Sequence, residues 1–127
     1  MKKILIVDDD KNIRNILEIA LEEEWTVVAA SSGEEAVELA TNEQPELILL
    51  DRMMPGMDGL STLRELRSRE ATRSVPVIFL TARVQTQDLE DYSGEGVLGL
   101  LSKPFDPVTL TDEINELLSR RGEAFSS

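Results

Sequence analysis

Ile4-Leu5-Ile6-Val7-Asp8-Asp9-Asp10 is the stretch on which the reading of this chain turns. An unbroken apolar run of this length suits a strand covered on both faces. The run then stops on three aspartates. Carboxylates do not continue a buried strand, because an unpaired charge loses its hydration there. The stretch therefore predicts a central strand with acids gathered at its carboxyl end.

The same grammar recurs along the chain. Trp25–Ala30 is β-prone, with Trp25 as an apolar anchor near its start. Leu47–Leu50 is a second fully apolar run and ends on Asp51; Val77–Leu80 ends on Thr81; Val97–Leu101, interrupted by Gly99, is followed by Lys103. Amphipathic segments lie between them. Over Lys11–Glu24 the apolar residues Ile13, Ile16, Leu17, Ala20 and Leu21 share one helical face, with Asp10 placed to cap it. Ser31-Ser32-Gly33-Glu34-Glu35 holds two overlapping Ser-x-x-Glu capping boxes, so a helix starts there and runs to about Asn42, before Pro45. Pro55-Gly56 and Asp58-Gly59 mark a turn-rich loop, and Leu60, Leu63 and Leu66 line the helix after it. A weak helix is expected over Thr86–Tyr92, broken by Ser93-Gly94-Glu95-Gly96. The last helix takes Asp106 as cap and Pro107 in its first turn, with Leu110, Ile114, Leu117 and Leu118 turned inward.

Five strands alternating with five helices predict an α/β fold: a doubly wound parallel sheet with helices on both faces. Such sheets bind ligands at the carboxyl ends of their strands, where the winding reverses. The 127 residues make one domain, expected over 1–121, with 122–127 a flexible tail or the start of a linker. The chain is 41% hydrophobic and 30% charged, a globular composition, and its net charge of −12 repels nucleic acid and anionic lipid. It has no cysteine, which excludes disulfides and thiolate metal sites. No segment is apolar enough for a membrane span, and the basic start before Ile4 lacks the length of a signal peptide, so a cytoplasmic location is expected.

The strand ends carry Asp8, Asp9, Asp10, Asp51, Thr81 and Lys103, and the predicted fold draws them to one crevice. Crowded carboxylates either hold a proton or bind a cation. With neither His nor Cys in the chain the ligands are all oxygens, which favours Mg²⁺, Ca²⁺ or Mn²⁺. Mg²⁺ takes one or two carboxylates and leaves room for phosphate oxygens. A lysine, a threonine hydroxyl and such an ion around one aspartate make a cradle for a phosphoryl group, whose transfer needs positioning and charge neutralisation most.

Four segments together resemble the receiver domains of bacterial response regulators, chemotaxis-regulator-like, over essentially the whole chain. They are the opening stretch, Leu49-Leu50-Asp51-Arg52-Met53-Met54-Pro55-Gly56-Met57-Asp58-Gly59, Leu80-Thr81-Ala82 and Ser102-Lys103-Pro104-Phe105. The resemblance implies a flavodoxin-like sheet of order 2-1-3-4-5. It implies that Asp51 accepts the phosphoryl group, and that Asp9, Asp51 and the carbonyl of Met53 bind Mg²⁺ (or Mn²⁺), with Asp8 acting through a metal-bound water. Lys103 pairs with the phosphoryl oxygens or, before phosphorylation, with Asp51; Thr81 turns its hydroxyl to the phosphoryl group. The Lys103-Pro104 bond is usually cis in this family. The implied donors are a sensor histidine kinase or a histidine phosphotransfer protein. The output is an effector or a further domain, and the chain acts on no external substrate as a turnover enzyme.

The sequence departs from the family where an aromatic residue commonly stands three positions before the lysine; here that position is Leu100. Met53 and Arg83 sit where receivers tune phosphoryl lifetime. Two other readings compete. A phosphohydrolase of the haloacid dehalogenase type wants an acid two residues beyond the nucleophile, where this chain has Met53. A receiver-like interaction module that is never phosphorylated usually lacks an acid, the threonine or the lysine, all of which are present here.

Overall fold

The computed structural model describes residues 2–82 and 96–126, with side chains described to residue 119. β1 (Lys2–Val7), β2 (Trp25–Ala30), β3 (Leu47–Asp51), β4 (Val77–Thr81) and β5 (Val97–Ser102) form one sheet in the order β2-β1-β3-β4-β5, every neighbouring pair parallel. The helices among the described residues are α1 (Lys11–Leu21), α2 (Gly33–Glu43), α3 (Gly59–Ser68) and α4 (Leu110–Ser126). They number four against the five expected, because the helix anticipated over Thr86–Tyr92 lies outside the described residues.

The apolar runs became the interior strands for the reason their composition gives. Successive side chains on a strand point to opposite faces, so each run feeds two cores. Leu5, Val7, Ile48, Leu50 and Phe79 meet Ala36, Val37 and Ala40 of α2 and Leu63 and Leu66 of α3. Ile4, Ile6, Leu49, Ile78 and Leu80 meet Leu17 and Leu21 of α1 and Leu110 and Ile114 of α4. Each fully buried Leu or Ile contributes roughly 1.5–3 kcal/mol relative to exposure. Trp25 is buried in the second core, with the ammonium of Lys2 4.4 Å from its ring centroid.

Local chemistry sets the helix starts. The Asp10 carboxylate accepts the amides of Asn12 (2.8 Å) and Ile13 (3.4 Å). The two overlapping capping boxes resolve into one: Ser32 Oγ accepts the Glu35 amide at 3.1 Å, while the Glu35 carboxylate reaches back to the Ser31 amide at 2.6 Å. Asp58 caps α3 through the Ser61 amide at 2.8 Å, and that bond holds its carboxyl below its ordinary pKa.

Several boundaries differ from expectation. α4 begins at Leu110, not at Pro107; a turn precedes it, in which the Asp106 carboxylate accepts the Val108 amide at 2.9 Å. α1 stops at Leu21, and Glu22-Glu23-Glu24 form a turn. Three carboxylates meet the negative end of the helix dipole there, and the chain must reverse into β2. β5 is not cut at Gly99; it runs through, with Val77 opposite Val97 but Ile78 opposite Gly99, so Leu98 is an extra residue that bulges the strand. α4 extends through Gly122 to Ser126, where a tail was expected. One glycine inside a helix costs only about 1 kcal/mol relative to alanine, which does not stop it.

Gly59 allows α3 to begin directly against the end of β3. A Cβ there would lie 2.5 Å from the Asp51 carbonyl oxygen and 2.7 Å from Arg52 Cα, both backbone atoms. Gly59→Ala is therefore expected to destabilise the fold by at least about 2 kcal/mol, at the upper side of ordinary overpacking, read as a lowered urea midpoint. Gly56→Ala serves as the control for turn strain alone, because no atom crowds that position.

Candidate functional site

Strand register assembles the acidic site. β1 and β3 pair with Val7 opposite Leu50, so the next residues, Asp8 just past β1 and Asp51 at the end of β3, stand side by side. β3 and β4 pair with Asp51 opposite Leu80, which sets Thr81 one step beyond, and Thr81 pairs with Ser102 just before Lys103. Residues as far as 95 positions apart in the chain thus meet at one end of the sheet.

Asp8, Asp9 and Asp51 each offer a carboxylate oxygen, and these oxygens lie within 4.8 Å of one another. Asp8 and Asp51 are buried, whereas Asp9 is exposed. Lys103 reaches in from the end of β5, with Nζ 2.7 Å from Asp8 Oδ2 and 3.3 Å from Asp51 Oδ2. The expected partner was Asp51; the closer one is Asp8. Lys103 is held by its own amide, which donates to the Thr81 carbonyl at 2.7 Å, and its bond to Pro104 is cis.

Asp8 is bonded on every side. Its amide donates to the Ala30 carbonyl (3.2 Å), its Oδ1 accepts the Asp10 amide (2.9 Å), its Oδ2 accepts Lys103, and its carbonyl accepts Nη1 of Arg14 (2.8 Å). Asp51 accepts the Met53 amide at 3.2 Å. Burial raises the Asp51 carboxyl to a pKa of about 6, and the charge of Asp8 adds to this; Lys103 and the Met53 amide oppose it. For the Lys103 ammonium burial acts downward, but its bond to Asp8 and the charges of Asp51 and Asp8 outweigh that and hold its pKa above the ordinary value.

The structure thus brings Asp8, Asp9, Asp51 and Lys103 together. Thr81 is buried at the end of β4, beside them in the sheet order. Met53 follows Asp51 in the adjoining loop, its side chain 68% exposed. Asp10 serves as the cap of α1, outside the cluster. Leu100 is half-buried against the core beneath α2 and α3. Arg83 lies outside the described residues. Arg14 went unread in the sequence, since nothing in its local pattern separates it from a solvated helical arginine. Gly59 reads in the sequence only as turn and helix-start chemistry.

The donor set suits a hard divalent cation. Opposite ligands on one Mg²⁺ stand roughly 4.2 Å apart, twice the usual bond length, so oxygens with this spread fit one ion after small adjustment.

The family model for the response regulator receiver domain matches residues 4–115. Protein PetR of Rhodobacter capsulatus is 39% identical over 125 residues, which cover 98% of this chain and 52% of that protein. The DNA-binding dual master transcriptional regulator RpaA of Synechocystis is 39% identical over 94% of this chain and 50% of its own length. The chain spans about half the length of the curated relatives it matches. Among solved structures, the chemotaxis response regulator CheY4 of Vibrio cholerae superposes with a TM-score of 0.85 at 29% identity, over 92% of this chain and 98% of that one. The N-terminal domain of a response regulator receiver protein from Methanoculleus marisnigri gives 0.77 at 33% identity, over 94% and 95%.

The raised pKa of Asp51 sets a sign for stability in metal-free protein. Folded and unfolded chains differ little below about pH 3, where Asp51 is protonated in both. As the pH rises the unfolded carboxyl ionises first, and the penalty grows until it is complete above the folded pKa of about 6. Asp51→Asn is expected to raise stability in EDTA at pH 7 by on the order of 2 kcal/mol. The gain should shrink to nearly nothing at about pH 3, below the unfolded pKa; urea unfolding at the two pH values measures it.

Proposed function

The chain belongs to the response regulator receiver domain family, and we propose that Asp51 is its phosphoacceptor, loaded from a histidine kinase or a histidine phosphotransfer protein in a Mg²⁺-dependent reaction. The observation that carries this reading is the Asp51 carboxylate itself: 4% exposed at the end of a buried strand, beside Asp8 and Asp9, with Lys103 in contact.

Asp9, Asp51 and the Met53 carbonyl would hold Mg²⁺ (or Mn²⁺). Asp8 would act through water, because both its carboxylate oxygens are already engaged. When bound, the ion supplies positive charge against the phosphoryl oxygens. The chain's own residues do the rest. Asp51 presents an oxygen to phosphorus; the new O–P bond forms as the P–N bond to the donor imidazole breaks, and the imidazole keeps that electron pair. Lys103, already shared between Asp8 and Asp51, shifts its contact to a phosphoryl oxygen. Thr81 offers its hydroxyl to another and so registers the added charge. Such a contact biases an existing two-state element rather than creating a new one. With Leu100 in place of an aromatic residue, the change passes through packing against the core beneath α2 and α3, since leucine has no hydroxyl to expose.

The product is a signalling state, not a released substrate. The net charge of −12 supports an output made through a protein partner or a further domain, without direct contact between this domain and nucleic acid. Among the described residues no helix is long and apolar enough to cross a membrane, and we propose a cytoplasmic site of action.

Intact-protein mass after incubation with acetyl phosphate tests the reading. Wild type with Mg²⁺ is expected to gain one phosphoryl adduct, while wild type in EDTA and Asp51→Asn gain none. An adduct that persists in Asp51→Asn would move the acceptor elsewhere. No adduct from acetyl phosphate or from a histidine-phosphorylated donor protein would make the chain an interaction module that is not phosphorylated.

A further inference from the structure

We infer that Arg14 is a positioning residue of the acidic site: its guanidinium fixes the peptide plane between Asp8 and Asp9 and thereby aims the Asp9 carboxylate at Asp51. The inference rests on the reading of Asp9 and Asp51 as cation ligands.

Arg14 lies in the first turns of α1, half-buried, and donates from Nη1 to the Asp8 carbonyl oxygen at 2.8 Å. That carbonyl is the first beyond the end of β1. It shares one planar peptide unit with the Asp9 amide, so holding the oxygen holds the direction in which Asp9 leaves the chain. The rest of the turn is pinned as well. The Asp8 amide is bonded to Ala30, the Asp10 amide to Asp8 Oδ1, and the Asp10 carboxylate to the first amides of α1. Of these anchors, Arg14 alone is a long side chain reaching back from the helix. Asp9 is the exposed carboxylate of the cluster, and its aim depends on backbone placement.

Electrostatics alone predicts the opposite role. A guanidinium beside a cation site repels the cation, so deleting it should tighten Mg²⁺ binding. Deleting a residue that orients ligands should loosen it. The sign of the change separates the two.

The experiment is calorimetric titration of metal-free protein with MgCl₂, for wild type, Arg14→Met, Arg14→Ala and Arg14→Lys, with melting curves in EDTA alongside. Met and Ala favour helix and remove the donor; Lys keeps a charge and a donor. The Met and Ala variants are expected to bind Mg²⁺ about tenfold more weakly, at the low end of what loss of a ligand-orienting partner costs. Lys is expected to recover most of that affinity. Labelling by acetyl phosphate should slow in the Met and Ala variants at low Mg²⁺ and return to the wild-type rate at saturating Mg²⁺, a rescue that a general loss of structure does not give. Equal or tighter Mg²⁺ binding in either donor-free variant that folds overturns the inference, as does a Lys variant as weak as the Met variant. Wild type that fails to bind Mg²⁺ overturns the cation-site reading itself, and this inference with it.

Discussion

Two carboxylates, Asp8 and Asp51, leave adjacent buried strands side by side, and the rest of the site is arranged around their mutual repulsion. The strands impose this closeness through register: Val7 opposite Leu50 puts the following residues together whatever their charge. Burial makes it costly, since both groups are shielded from water. The costs are met by Lys103, which touches both, and by amides from Asp10 and Met53, each of which takes one oxygen. The balance is incomplete, and Asp51 remains hard to ionise. An incompletely neutralised cluster of oxygens is chemically suited to receive positive charge.

The fold supplies rigidity where the site needs it. Interior strands buried on both faces hold Asp8, Asp51 and Thr81 at their ends, so these positions move only if the core moves. The loops are held by short-range devices: Asp10 capping α1, Asp58 capping α3, Gly59 seated on the backbone of Asp51 and Arg52. At the other edge, Gly99 performs a related service. A Cβ there would come within 2.9 Å of a Leu117 methyl, so its bareness leaves that side chain its place between α4 and β5, the strand that delivers Lys103.

Asp8 and Asp9 illustrate how neighbours in sequence take different parts. Asp8 faces inward and is consumed by protein partners on every side, which makes it a frame. Asp9 faces out and carries the exposed carboxylate of the cluster. Both lie just beyond the end of β1, and the turn there sends one side chain inward and the other out.

Much of this was legible in the chain itself. Apolar runs too long to alternate announced interior strands, amphipathic segments announced covering helices, and the capping residues marked helix starts, because each of these depends on contacts within a few residues. The acids, threonine and lysine at the run ends were legible as a set because strand ends are where parallel sheets expose chemistry. Tertiary structure alone decided the rest. Lys103 lies nearer Asp8 than Asp51, β5 bulges at Leu98 instead of breaking at Gly99, Gly59 is required by backbone contact, and Arg14 serves the acidic turn. Each of these depends on the distance between segments remote in sequence or on a side chain's direction across a turn. Residue order alone carries no such distance; packing sets it once the sheet and helices have met.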